Sequence, residues 1–203
     1  MGWRLDHSGR EVPGGSERSD AARNRRRILE VARGLFEERG VGEVTMEEIS
    51  RRAAVGKGTL YRRYPNKGLL CQALLDEPTR HLQREVMEVL GRPDLAPREK
   101  LCEFLDRLVW FMEDNLDLLY GGHQALPPAD RLAHPAYDWR RGTVLGLLRE
   151  AVRRDELDPD LDVEYVATAL LAPLEVELYH HQRRVLGISA GRISAGLRSL
   201  VPG

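Results

Sequence analysis

Lys57, Gly58, Thr59, Tyr61 and Arg62 set two cations, two hydroxyls and a bare backbone side by side, and Lys67 follows shortly after. Cations and hydroxyls bind phosphate oxygens, and a glycine lets the backbone approach a base edge. In the stretch 57–64 only Leu60 and one or both of Tyr61 and Tyr64 are available for burial. A helix carrying these residues must show most of itself to a partner. Gly56-Lys57-Gly58-Thr59 also resembles part of a nucleotide phosphate loop. In that motif Arg51 would occupy the first glycine position and Gly58 the hydroxyl position, so nucleotide binding is rejected.

The elements needed to position these groups are legible just upstream. Thr45 and Glu48 form a capping-box pattern, so a helix begins at Met46, with Met46, Ile49, Ser50 and Ala53 on one face. Ala54-Val55-Gly56 interrupts it, and the cationic helix follows. Ile28, Val31, Ala32, Leu35 and Phe36 recur at helical spacing, predicting a supporting helix over 20–39, and Gly40 suits its C-terminus. Three helices in this order make a helix-turn-helix module. Arg23, Arg25, Arg26 and Arg27 precede it, either as a solvated face or as phosphate and minor-groove contacts, the second reading being preferred.

The pattern resembles the N-terminal domain of the tetracycline-repressor (TetR) family of one-component bacterial regulators. The matching residues run from Ile28, Ala32, Leu35, Phe36, Gly40 and Val41 through Thr45, Ile49 and Ala53 to the string KGTLYRRY-P-x-K. Two positions depart from the family: Ala54 stands where a turn glycine is usual, and Gly56 where serine or alanine is common. The resemblance implies a regulator, a repressor by preference, that binds a palindromic double-stranded operator as a homodimer. On that reading Gly56 opens the recognition helix, Lys57 and Gly58 lie nearest base edges, and Arg62 is a further candidate. Thr45, Thr59, Tyr61 and Lys67 are expected to hold phosphates. It also implies an effector pocket between the middle helices and an interface formed by the last two.

Charge distribution agrees. The formal net charge is only −1, but residues 18–67 carry 13 Lys+Arg against 7 Asp+Glu, a net of +6, and residues 68–203 carry 16 against 22, a net of −6. A basic head on an acidic body fits specific DNA binding better than general adhesion to phosphate. Residues 1–17 read as a disordered tail, 18–67 as the DNA-binding domain, and 68–203 as the ligand-binding and dimerisation domain. Two cysteines, no apolar leader and no membrane-length apolar stretch predict a cytoplasmic protein without disulfides. No cofactor or metal is expected, since adjacent His180 and His181 point apart on a helix.

The remainder reads as all-α. Helices are predicted over 67–90 (kinked or split at Pro78), from Pro97 to about 120, over 136–154, over 163–186 with a kink at Pro173, and over 190–201; 121–135 is a loop with one short helix. Trp110, Tyr120, His123, Tyr137, Trp139 and Tyr165 are the candidate lining of a pocket for a small, partly hydrophobic organic effector, although aromatics at helical spacing also serve as plain core. Glu175, Glu177 and Tyr179 either orient a ligand or make interface hydrogen bonds. Leu170, Leu174, Leu178, Ile193 and Leu197 are expected at a two-fold interface. The rival class is an all-α ligand carrier or enzyme whose basic N-terminus is incidental. It requires a convergent set of catalytic groups in the C-terminal half, and no nucleophile–base pair is evident there.

Overall fold

The computed structural model describes the backbone at residues 4–5, 11–12, 16–125 and 135–202, and side chains from 19 onward except Pro135. Within these residues the fold is all-α, apart from a two-residue antiparallel ladder of β1 (Arg4–Leu5) with β2 (Glu11–Val12). That ladder lies in the segment expected to be a tail, most of which is outside the described residues.

The head consists of α1 (Ser16–Glu43), α2 (Met46–Arg52) and α3 (Lys57–Arg63). Gly40, at φ 80°, turns the chain out of α1 in a conformation only glycine adopts without penalty. The Thr45 hydroxyl accepts from the Glu48 N–H at 3.2 Å and starts α2, while the Glu48 carboxylate is taken by Arg39 at 2.7 Å. Ile28, Ala32, Leu35, Phe36, Ile49, Leu60 and Tyr64 close a small core.

Helix α4 (Lys67–Leu90) serves two cores. Leu70, Cys71 and Leu74 belong to the head, and Leu82 and Val86 to the body, with Leu90 packed against it. The boundary expected at 67/68 therefore falls at the start of a helix common to both cores. Pro78 stays inside α4 without splitting it. Proline cannot donate to the carbonyl of Leu74, and the Arg33 guanidinium of α1 approaches that oxygen instead, at 3.4 Å.

The body adds α5 (Pro97–Asp114), α6 (Leu116–Gln124), α7 (Pro135–Arg153), α8 (Val163–Leu171), α9 (Val176–Arg184) and α10 (Ala190–Leu200). Two expected helices are broken. The helix expected from 97 to 120 ends at Asn115, whose side chain donates to the Phe111 carbonyl at 2.9 Å, and α6 starts in a new direction. The helix expected over 163–186 is interrupted by a 3-10 turn, Ala172–Leu174, around Pro173. Glu113 on α5 pins α9 by a bidentate pair with Arg183 (2.6 and 2.5 Å) and accepts from the Tyr179 hydroxyl at 3.2 Å. The Arg183 guanidinium holds the Glu113 carboxyl below its ordinary range.

Helix α6 lies against both α4 and the head. A Cβ on Gly68 would meet the Ala125 Cβ at 2.0 Å, and one on Gly121 would meet Val41 Cγ1 at 2.7 Å. Both glycines are therefore needed for close approach. Gly68→Ala is expected to lower stability by about 1–3 kcal/mol through overpacking, read as a fall in thermal midpoint. Gly58→Ala, where nothing lies within 4 Å, should leave the midpoint equal or higher.

Candidate DNA-contacting helix and effector cavity

Helix α3 buries only Leu60, with Tyr64 closing its end in the core; Gly56, Lys57, Gly58, Tyr61, Arg62 and Arg63 are exposed and Thr59 is half-buried. Lys57 and Arg62 make no hydrogen bond or ion pair among the described residues. The Tyr61 hydroxyl donates to Glu47 Oε1 at 3.1 Å and so couples α3 to α2. That bond raises the pKa of Tyr61. Glu47 is lowered, by its own backbone hydrogen bond first and the Tyr61 hydroxyl second. Thr45 is exposed beside this surface, its oxygen engaged as the α2 cap.

The turn before α3 is strained at one residue. Ala54 adopts φ 47°, the left-handed region that Cβ sterics disfavour. It is held there by the Ala54 N–H to Arg51 (3.2 Å), the Val55 N–H to the Ser50 carbonyl (3.1 Å), and the Ser50 hydroxyl to the Val55 carbonyl (2.7 Å). Arg27 of α1 also donates to the Ala54 carbonyl, at 3.1 Å. Of the other early arginines, Arg23 pairs with Asp20 (3.0 Å) and Arg25 with Asp76 of α4 (3.1 Å), while Arg26 is exposed.

Lys67 departs from the phosphate role expected of it. Its ammonium points into the head and donates to the carbonyls of Val41 (2.5 Å), Gly42 (3.1 Å) and Val44 (2.9 Å). An ammonium has three donors, and all three are used.

A cavity of about 510 Å³ opens in the body. Its walls are α4 (Gln72, Leu75, Asp76, Thr79, Gln83), α5 (Leu108, Phe111) and α6 (Leu119, Gly122, His123). Arg80 and Leu82 of α4, Ala136, Trp139 and Arg140 of α7, and Glu175 and Val176 at the start of α9 complete it. Mixed apolar walls with a few polar groups, at this volume, suit a small organic molecule. Burial lowers the Arg140 pKa and raises that of Glu175. Burial also pushes the Cys71 thiol up to about 11, which makes it a poor nucleophile.

Residues 28–74 match the family described as "Bacterial regulatory proteins, tetR family". An HTH-type transcriptional regulator of Staphylococcus aureus strain USA300 is 46% identical over 103 residues, 50% of this chain and 55% of that protein. Another, from the bovine strain RF122 / ET3-1, is 34% identical over 104 residues, 51% of this chain and 55% of that one. The chain thus spans about half the length of these curated relatives. Among solved structures, a gamma-butyrolactone receptor (ArpA-like protein) is 27% identical with a TM-score of 0.52, covering 90% of this chain and 95% of that one. Thermus thermophilus FadR, a TetR family repressor solved with lauroyl-CoA, shares the fold at TM-score 0.64 and 23% identity, over 87% of this chain and 92% of its own. Residues 28–74 thus carry a TetR-type DNA-binding domain, and the chain shares the fold of TetR-family structures.

Against this TetR frame the expected site residues separate. His123 and Trp139 line the cavity. Tyr120 does not; it stacks on His180 with ring centroids 3.9 Å apart. Tyr137 is half-buried away from the lining, Trp110 is 52% exposed in a separate surface depression, and Tyr165 is 72% exposed. Four of the expected interface leucines and isoleucines need correction. Leu170, Leu174, Ile193 and Leu197 are buried within the protomer, because α5 and α7 already cover those faces; only Leu178, 46% exposed, is available to a second chain. The sequence reading missed Arg140 and the α4 set Gln72, Asp76, Thr79 and Gln83. Their spacing of about one helical turn was a usable signal, hidden beside the leucines of the same helix.

Relief of the strained turn is directly testable. Ala54→Gly keeps every hydrogen bond of the turn and removes the Cβ cost of the left-handed conformation, so stability should rise by about 1 kcal/mol on chemical denaturation. A loss of stability would show that Ala54 carries no strain.

Proposed function

We propose that this chain is a ligand-responsive transcriptional repressor of the TetR family, without catalytic activity, that acts in the cytoplasm on a palindromic operator as a homodimer. The observation that carries the reading is the exposed face of α3: two cations whose side chains have no hydrogen-bond or ion-pair partner among the described residues accompany a glycine with open space where alanine would favour the helix. A bare position of that kind is costly in a structural helix and useful where DNA must approach. Lys57 and Gly58 are assigned to base edges, Arg62 to a further contact, and Thr59, Tyr61 and Thr45 to phosphates. Lys67 is reassigned to holding the head together.

The dimer contact is placed on the outward apolar residues of α8, of α9 and of the segment just after α9, namely Tyr165, Leu178, Val185 and Leu186, which the protomer leaves exposed. The effector is placed in the 510 Å³ cavity. Relatives solved with an acyl-CoA or named as butyrolactone receptors support an organic effector. Helix α6 supplies the route to DNA: Leu119, Gly122 and His123 line the cavity, and Gly121, between them, rests on Val41 of the head. A ligand that shifts α6 by an ångström or two displaces the head without altering it internally. By linkage, the ligand must then bind the DNA-free dimer more tightly.

Gly58→Ala separates DNA contact from folding. With thermal stability unchanged or raised, operator affinity should fall by about tenfold or more, which corresponds to some 1.4 kcal/mol of lost contact. Lys57→Ala should in addition alter which operator sequences are preferred. A Gly58→Ala protein that binds operator as tightly as the parent would remove α3 from the interface. The expression of an operator-linked reporter in the presence and absence of the protein distinguishes repression from activation.

A further inference from the structure

Among the described residues, two charged groups in the cavity wall have no oppositely charged hydrogen-bonding partner. The Arg140 guanidinium spends only its Nε, on the Ala136 carbonyl of its own helix at 3.2 Å, and its two terminal nitrogens have no partner among the described residues. The Glu175 carboxylate, in the same cavity wall at the start of α9, accepts no hydrogen bond and forms no ion pair among the described residues. The two attract each other through space yet make no contact. Both are partly withdrawn from water, and both pKa values are displaced towards the uncharged forms, with burial the largest cause in each case. A half-buried pair held apart in this way costs stability unless something completes it.

The geometry points to an effector whose polar head is neutral and bifunctional, with a carbonyl-type acceptor for Arg140 and an N–H or O–H donor for Glu175, on an apolar body. Carboxamides and hydroxy-carbonyl compounds are the chemical classes that carry such a head. This inference rests on the reading of the cavity as the effector site and specifies what that site selects. An anionic head would satisfy Arg140 but set a second negative charge beside Glu175. A cationic head would satisfy Glu175 and meet Arg140. A neutral donor–acceptor head completes both without adding charge to a poorly solvated space. Leu108, Phe111, Leu119, Trp139 and Val176 line the same cavity and supply the apolar wall for the body of the molecule.

Three probes with one aromatic body and different heads test the assignment: naphthylacetamide, naphthylacetate and naphthylethylammonium. Titration calorimetry on the full-length protein should rank the amide tightest, by about tenfold over either charged probe, because each of those leaves one wall group opposed. Glu175→Gln should bring naphthylacetate up to or past the amide, and Arg140→Gln should do the same for naphthylethylammonium. These are rank changes within one variant, so a general loss of folding does not mimic them, and thermal melts of both variants check it. A charged probe bound tightest by the parent protein, a ranking that neither substitution moves, or no binding of any probe would each overturn the head-group assignment. The effector reading has a separate readout: an amide that binds in the cavity but leaves operator affinity unchanged would refute that reading and leave the head-group selectivity standing.

Discussion

The head depends on one cation. Lys67 opens α4 and gathers the carbonyls of Val41, Gly42 and Val44, which follow the non-helical kink at Gly40. Backbone oxygens at the end of a helix carry partial negative charge, and an ammonium placed among three of them replaces both their lost hydrogen bonds and their water. The consequence is mechanical. The end of α1, the segment that leads to the Thr45 cap of α2, and the first turn of α4 are fixed to one atom. Further along α4, Arg33 reaches the Leu74 carbonyl and Arg25 pairs with Asp76, so α1 is held against α4 over two more turns. The recognition helix therefore follows α4 closely.

The same helix forms a wall of the cavity and contributes to the head core, so the proposed effector site and the head share one structural element. Helix α6 adds a second connection. Its close approach to Gly68 and Val41 needs glycine on both sides of the contact, at Gly68 and at Gly121, and leaves no slack for side chains to absorb a displacement. A packed interface of this kind transmits a shift in place of dissipating it. An effector in this cavity, as proposed, would be coupled to the head by contact along α4 and α6, with no need for the head to rearrange internally.

The head was largely legible in the sequence because its constraints are local. A capping box at Thr45, helical spacing from Ile28 to Phe36, a terminating Gly40 and the depleted apolar content of α3 each act within a few residues. The departure at Ala54 was legible too, and the positive φ there is its structural counterpart. Lys67 was misread because composition counts a lysine as a surface cation, whereas its role depends on carbonyls more than twenty residues earlier. The body was less legible for the same reason. Which aromatic lines a cavity and which faces outward depends on the break at Asn115 and the 3-10 turn at Pro173, and these rotate the faces of the helices that follow. The leucines and isoleucine of α8, the 3-10 turn and α10 are apolar enough for an interface, but the protomer itself covers them. Apolar periodicity reports burial and says nothing about which chain provides the cover.

Selection of binding sites from a randomised duplex library by the full-length protein tests the central claim most directly, since it needs neither a known effector nor a known target gene. Two recognition helices held by one two-fold axis must enter major grooves on the same face of the duplex, with half-site centres about 10–10.5 base pairs, or a multiple of that, apart. The account predicts an enriched inverted repeat with that spacing, whose bound fraction falls steeply with added salt. Enrichment of an unpaired half-site, or of no sequence at all, would contradict it.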